Sequence, residues 1–101
     1  MKYIVLFEDA AESDPEIRAT YMSLHLSFLE RNAHAVQAAG PLTDRANRGR
    51  DGLWIVEAES EGEVEMLIHQ DPFWPTGLRK SYSILRWMQV YASGARLIKP
   101  K

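Results

Sequence analysis

"LWIVEAESEGEVEMLIHQDP", Leu53 to Pro72, contains a strand, a helix start, a helix and a helix stop in one run. Leu53–Ser60 concentrates β-branched and aromatic residues, the composition of a strand. Ser60 stands where a helix N-cap belongs, and Glu63 follows at capping-box spacing. Val64, Leu67 and Ile68 then form the apolar stripe of a helix with one buried face. Pro72 disfavours helical backbone at Asp71, so the helix must stop before it. The run is one complete β-α unit, and the fold depends on whether the chain contains a second.

It does. Upstream, "DRANRGRDG" is a polar loop, and at the N-terminus "KYIVLFED" (Lys2–Asp9) reads as a strand. "AAESDPE" is turn chemistry with helix-start residues: Ser13 or Asp14 can cap, Pro15 suits the first turn, and Glu16 favours the positive helix end. Glu16–Ala39 carries Ile17, Tyr21, Leu24, Phe28 and Val36 at helical spacing, and Gly40-Pro41 is read as its stop. "PLT" after it is short and extended. Downstream, "SYSILRWMQVYA" (Ser81–Ala92) reads as a long final strand, and the basic tail "SGARLIKPK" adds a short strand or stays loose. The order is β-α-β-β-α-β, an α+β, ferredoxin-like arrangement with an antiparallel sheet and two helices on one face. Trp54, Trp87 and Tyr91 are expected on the other face. An apolar patch of that kind marks an interface, so two subunits are expected to pack sheet to sheet as a homodimer.

The bulk properties agree with one domain over residues 1–101. A chain of 101 residues buries about two-thirds of its unfolded surface, which leaves little volume for an enclosed pocket. Twelve basic against fourteen acidic residues give a formal charge of −2, no electrostatic footprint for nucleic acid or an anionic membrane. There is no cysteine, which excludes disulfides, thiolate metal sites and cysteine nucleophiles and fits a cytoplasmic location. The N-terminus lacks the pattern of a signal peptide, and no apolar run approaches the roughly 20 residues that span a bilayer. No repeat, linker or low-complexity segment divides the chain.

Three histidines carry the imidazole chemistry. On the helix read for Glu16–Ala39, His25 and His34 lie about 180° apart and cannot share a metal. His69 has no partner at zinc-site spacing. His25 sits on the shoulder of the buried stripe. It is read either as a space-filling histidine bonded to a backbone carbonyl or as a base. Asp71 is read either as ordinary Asp-Pro turn chemistry or as a carboxylate held rigidly between Pro72 and the aromatic pair Phe73 and Trp74. If the two meet, the carboxylate fixes the imidazole tautomer and leaves the other nitrogen free. No serine lies in a nucleophile-elbow pattern, and "NRGRDG" lacks the lysine and spacing of a phosphate loop. Arg45, Arg48 and Arg50 read as a solvated loop with a minor capacity for an anion.

"HLSFLERN", "AAGPLTD", "LWIVEAES", "QDPFWPTGL" and "ILRWMQVYASG" together resemble the YCII-related (YciI-like) proteins, and the resemblance covers nearly the whole chain. It rests most on His25-Leu26, Gly40-Pro41-Leu42, Asp71-Pro72-Phe73 and Gly77-Leu78. The resemblance implies a ferredoxin-like fold, a dimeric α+β barrel, and a pocket in which His25 and Asp71 form an acid–base pair. Where some relatives carry an arginine three positions before the histidine, this chain has Met22; Arg18, one turn earlier, is a candidate substitute. The surroundings suit a flat, mostly apolar ring.

Two functions are therefore carried forward. The first is a cofactor-independent lyase or isomerase acting on a small hydroxylated, or chlorinated, aromatic or lactone. Its chemistry would be dehydrochlorination or a muconolactone-isomerase-like proton shift, with His25 as base, Asp71 orienting it, and Leu42, Phe73 and Trp74 lining the pocket. The second is a non-catalytic small-ligand-binding or accessory dimer. A purely structural protein would instead fill the space between the first helix and the Asp71 turn with side chains.

Overall fold

The computed structural model describes residues 1–46 and 49–100, with the backbone alone described at 49 and 50. Alternation at residues 3, 5, 7 and 9 builds the first strand, β1 (Lys2–Asp9): Tyr3, Val5, Phe7 and Asp9 are buried, while the residues between them are less so. Helix α1 (Ile17–Arg31) follows, then β2 (Val36–Thr43), β3 (Gly49–Glu57), α2 (Glu61–Gln70), a single 3₁₀ turn at Trp74–Thr76, and β4 (Arg79–Arg86). The strands pair antiparallel in the order β2-β3-β1-β4. This is the ferredoxin-like arrangement, with both helices packed on one face of the sheet.

The capping chemistry read at Ser60 is present. Ser60 Oγ accepts the Glu63 N–H at 3.3 Å, and the Glu63 carboxylate accepts the N–H of Glu59 at 3.0 Å. At α1 the expected caps work differently. Asp14 Oδ1 accepts from the Glu16 N–H at 2.9 Å and Ser13 Oγ donates to the Ala10 carbonyl at 3.0 Å, so both organise the turn and neither caps the helix, which begins at Ile17.

The first helix is shorter than its apolar spacing suggested. It ends at Arg31 rather than Ala39. Asn32 closes it, with its side-chain Nδ2 and its backbone N–H both donating to the Phe28 carbonyl at 2.9 and 3.2 Å. Val36 is then a strand residue opposite Val56, and Gly40-Pro41 lies inside β2 rather than beyond a helix. Proline is tolerated there because β2 is an edge strand, where a missing donor breaks no central ladder. His34 consequently lies in the turn after α1 and not on the helix with His25. Leu24, expected on the buried stripe, is 57 % exposed, and His25 and Phe28 take the inward positions.

β4 also differs from the expected Ser81–Ala92. It starts at Arg79 and ends at Arg86, and the chain then leaves the sheet. A separate hairpin forms from β5 (Tyr91–Ala92) and β6 (Ala95–Arg96). Its two central residues, Ser93 and Gly94, have φ of 53° and 79°, the backbone that a tight two-residue hairpin needs.

The core lies between the helices and the inner sheet face. Trp54 was expected outside but is 1 % exposed, because its register places it beside Val5, whose side chain points inward. Its ring meets Phe7 at 5.1 Å edge-on and Phe28 at 6.3 Å. Trp87 and Tyr91, also expected on the outer sheet face, lie past the end of β4 and so off the four-stranded sheet, where both are exposed. The outer face is nonetheless apolar, since Ile4 pairs with Ile55 and Leu85, and Leu6 pairs with Leu53.

Candidate active site

The exit of α2 is built around one side chain. Asp71 occupies the C-cap with extended backbone (φ −65°, ψ 129°), as the following proline requires. Its Oδ1 accepts the Phe73 N–H at 3.1 Å, which folds the chain into a tight turn. The same oxygen meets His25 Nδ1 at 2.8 Å, and Oδ2 accepts from Arg79 Nη1 at 2.7 Å. Asp71 is fully buried. Burial alone pushes its carboxyl up, but the His25 bond, the Arg79 charge and the Phe73 amide together outweigh burial and hold it below the ordinary carboxylate range. Turn chemistry and an ionised, oriented carboxylate are therefore two consequences of one conformation.

His25 comes from the middle of α1, on the face turned to the sheet. Its ring lies against Phe73 with centroids 4.4 Å apart and planes tilted by 36°. An Nδ1–H held by a carboxylate leaves Nε2 with its lone pair in the neutral ring. His25 lines a cavity of about 140 Å³, whose walls include Phe7, Met22, Trp54 and Phe73. An apolar cavity of about 150 Å³ accommodates one benzene ring, so this space matches a single small ring.

Three further polar side chains, Arg79, Asp9 and Arg18, line the same cavity. Arg79 begins β4 and lines the wall. Burial pulls its guanidinium below its usual range and Asp71 opposes that shift; arginine starts so high that it stays charged at neutral pH. Its guanidinium carbon sits 3.9 Å from the centre of the Phe7 ring. Asp9 ends β1, directly opposite Arg79 in the sheet register. Its Oδ2 accepts from Arg18 Nη2 at 2.6 Å. Among the described residues, Asp9 Oδ1 is the buried side-chain oxygen without a hydrogen-bond partner. Two acids balance two guanidiniums, so the site is close to neutral when His25 is uncharged.

Of the residues singled out from the sequence, His25, Asp71 and Phe73 converge; His25 and Phe73 line the cavity together with Arg18 and Met22, and Asp71 lies behind them. Leu42 and Trp74 do not line it. Leu42 borders a separate acidic hollow with Asp9, Asp44 and Asp51. Trp74 stacks instead on His69 and Tyr82, with centroids 4.9 and 5.5 Å away. The physical reason lies in the 3₁₀ turn: Phe73 points inward and its neighbour is carried to the outer side of α2. Arg45 is exposed in a turn; Arg48 and the side chain of Arg50 lie outside the described residues. Asp9 and Arg79 were not anticipated. Asp9 carried a usable signal, an acid at the next alternate position after Tyr3, Val5 and Phe7. Arg79 carried none until β4 was seen to start there. Among the described residues no cluster of His, Cys, Asp or Glu is placed to hold a metal ion, and no helix is long and apolar enough to cross a membrane.

Comparisons with known proteins bear on the family and the fold. The model of the YCII-related domain matches residues 1–88. No curated protein matches the chain. Among solved structures, one similar fold is 5-chloro-2-hydroxyhydroquinone dehydrochlorinase from Burkholderia phenoliruptrix AC1100, in complex with 2,5-dihydroxybenzoquinone. The two share 27% identity and a TM-score of 0.70, over 87% of this chain and 94% of that one. A hypothetical Arabidopsis thaliana protein is similar in fold alone, at 14% identity and a TM-score of 0.52, covering 91% of this chain and 89% of that one.

Proposed function

The chain belongs to the YCII-related domain family, and on that premise we propose that it is an acid–base enzyme of the lyase or isomerase type. Its substrate class is a small hydroxylated, or chlorinated, aromatic or lactone. The observation that carries the reading is the 2.8 Å bond between His25 Nδ1 and the buried Asp71 carboxylate, on a cavity of single-ring size. The similar dehydrochlorinase, which binds a hydroxyquinone, supports the choice of substrate class.

In this reading His25 Nε2 takes a proton from a ring hydroxyl or an acidified ring carbon. The electron pair left behind enters the ring's conjugated system. In a lyase acting on a chlorinated aromatic, one hydroxyl proton is moved onto the chlorine-bearing ring carbon, and loss of a second hydroxyl proton then expels chloride, so that HCl leaves overall and no outside electron acceptor is needed. In an isomerase the proton returns at another position. Asp71 holds the imidazole in the Nδ1–H tautomer and offsets the imidazolium charge that forms. Phe7, Trp54 and Phe73 keep the site dry, which strengthens both electrostatic effects.

A second copy of the chain is part of the proposal. Ile4, Leu6, Ile55 and Leu85 give the outer sheet face an apolar surface, and sheet-to-sheet packing of two subunits would cover it.

Incubation of the purified protein with hydroxylated and chlorinated hydroquinones and with lactones, followed by product and chloride analysis, tests the function. His25→Ala is expected to lower turnover by at least about 10²-fold while the fold is kept. Turnover that survives this change removes the base assignment. A ligand that binds and is recovered unchanged points instead to a binding or accessory protein.

A further inference from the structure

We propose that Arg79 is a ligand-binding residue as well as the counter-ion of Asp71: its guanidinium faces the cavity and holds the ring oxygen on which negative charge collects when His25 takes a proton. The proposal rests on the acid–base reading above and extends it to the ligand's chemistry.

The first observation is donor accounting. A guanidinium carries five N–H groups. Arg79 makes one hydrogen bond, from Nη1 to Asp71 Oδ2 at 2.7 Å. Its side chain is 7 % exposed, yet it lines the same cavity as His25. The remaining donors are not sealed in protein, because no Arg79 nitrogen is among the buried side-chain atoms that lack a partner. Donors that are unpaired, nearly excluded from solvent and open to a cavity are donors for whatever enters it.

The second observation is rigidity. The guanidinium carbon lies 3.9 Å from the Phe7 ring centre and about equally far from two other rings, 5.4 Å from Phe73 and 5.5 Å from Trp54. Contact with the Phe7 ring and the bond to Asp71 together hold the guanidinium in place. Donors aligned before charge develops need no reorganisation when it does, and this is the arrangement that stabilises an oxyanion.

The third is the common anchor. His25 bonds one oxygen of Asp71 and Arg79 bonds the other. Base and oxyanion donor are thus held by the two oxygens of a single carboxylate and line the same cavity. The ligand class that fits is a planar ring with two conjugated oxygens: a hydroxyl that meets His25, and a second oxygen, carbonyl-like in the anion, that meets Arg79. Such a ligand binds more tightly as its anion than as its neutral form.

Calorimetric titration with two probes of similar size tests this. 2,5-Dihydroxybenzoquinone is ionised at pH 7, and hydroquinone is neutral. The parent protein is expected to prefer the anion. Arg79→Lys keeps a positive charge beside Asp71 but loses the planar fork. It should weaken the quinone by at least tenfold more than it weakens hydroquinone. If Arg79→Lys does not fold, the double variant Asp71→Asn, Arg79→Gln removes both charges together and should abolish the preference. His25→Ala, with Arg79 in place, should retain it, so loss of turnover in that variant reports on the base and not on Arg79. A parent protein without preference for the anion, or an Arg79 variant that weakens both probes by the same factor, overturns the proposal.

Discussion

Asp71→Asn keeps the shape of the side chain and removes its charge, and the consequences can be worked through atom by atom. Asp71 accepts three hydrogen bonds, from His25, the Phe73 amide and Arg79. An asparagine has one oxygen and one NH₂ group for the same positions. If the oxygen stays with His25 and Phe73, the NH₂ faces the Arg79 guanidinium, donor against donor. If the amide flips, the NH₂ faces His25 Nδ1 and forces the proton onto Nε2, which then has no lone pair to offer the cavity. In either rotamer Arg79, whose side chain is 7 % exposed, is left without a counter-ion. Removing one partner of a buried ion pair costs about 3–5 kcal/mol, a large share of the roughly 5–15 kcal/mol that holds a domain folded. In a domain of this size each 1 kcal/mol is worth about 4–8 °C in Tm, so melting should fall by roughly 12 °C or more. The pH dependence has a definite sign. The Asp71 carboxyl sits below its ordinary range in the folded protein. Its contribution is therefore present in full above the unfolded value near 3.9 and disappears as pH falls through the lower, folded value. Urea unfolding of parent and variant from pH 8 down to pH 2 should show a constant gap down to about pH 5 that closes below about pH 4. A variant within about 1 kcal/mol of the parent at pH 7, or a gap that is unchanged at pH 2, would refute the claim that Asp71 holds a buried charge network together.

Leu6→Glu places a charge in the outer sheet face beside Leu53 and Ser83; in sedimentation analysis the parent is expected to run as a dimer and the variant as a monomer, with the helix content unchanged. Gly77, which follows the 3₁₀ turn with φ of 79°, has open space around an added Cβ; Gly77→Ala should cost about 1–2 kcal/mol in urea unfolding from backbone strain alone. Phe28→Ala, which empties a 3 % exposed position against Trp54, should cost about 3–5 kcal/mol by the same measurement.

The strand and helix around Ser60 were legible because every local signal there agrees: β-branched residues, cap, stripe and proline stop point to the same boundaries. The segment Asn32–Ala39 was not, because alanines at helical spacing and a β-pairing edge strand can share one sequence. Tertiary contact decided it: the Ala35 carbonyl accepts the Glu57 N–H at 2.8 Å, and Val36 aligns with Val56. The position of Trp54 followed from register, and a one-residue change in register exchanges the two faces of a strand. In the site, His25 and Asp71 were singled out from their local sequence, but their pairing came from the family resemblance and not from spacing, since 46 residues separate them. Arg79 could not be found because its role depends on Phe7, Trp54 and Phe73 meeting from three different elements.

The two members of the dyad are not equivalent in what they owe to the fold. Asp71 ends α2, anchors the Phe73 turn and neutralises Arg79, so its conformation is required whether or not any ligand is present. His25 makes one side-chain bond, to Asp71, from a helix position that a small apolar residue could also occupy. Helix packing does not require an imidazole there, and burying one costs desolvation of a group that can charge. The Asp71 carboxylate draws on the His25 bond, but it keeps Arg79 and the Phe73 amide as partners when the imidazole is replaced. The feature of this site that folding leaves unexplained is therefore the imidazole. The same asymmetry implies that substitutions at His25 can separate chemistry from stability, whereas those at Asp71 must disturb both.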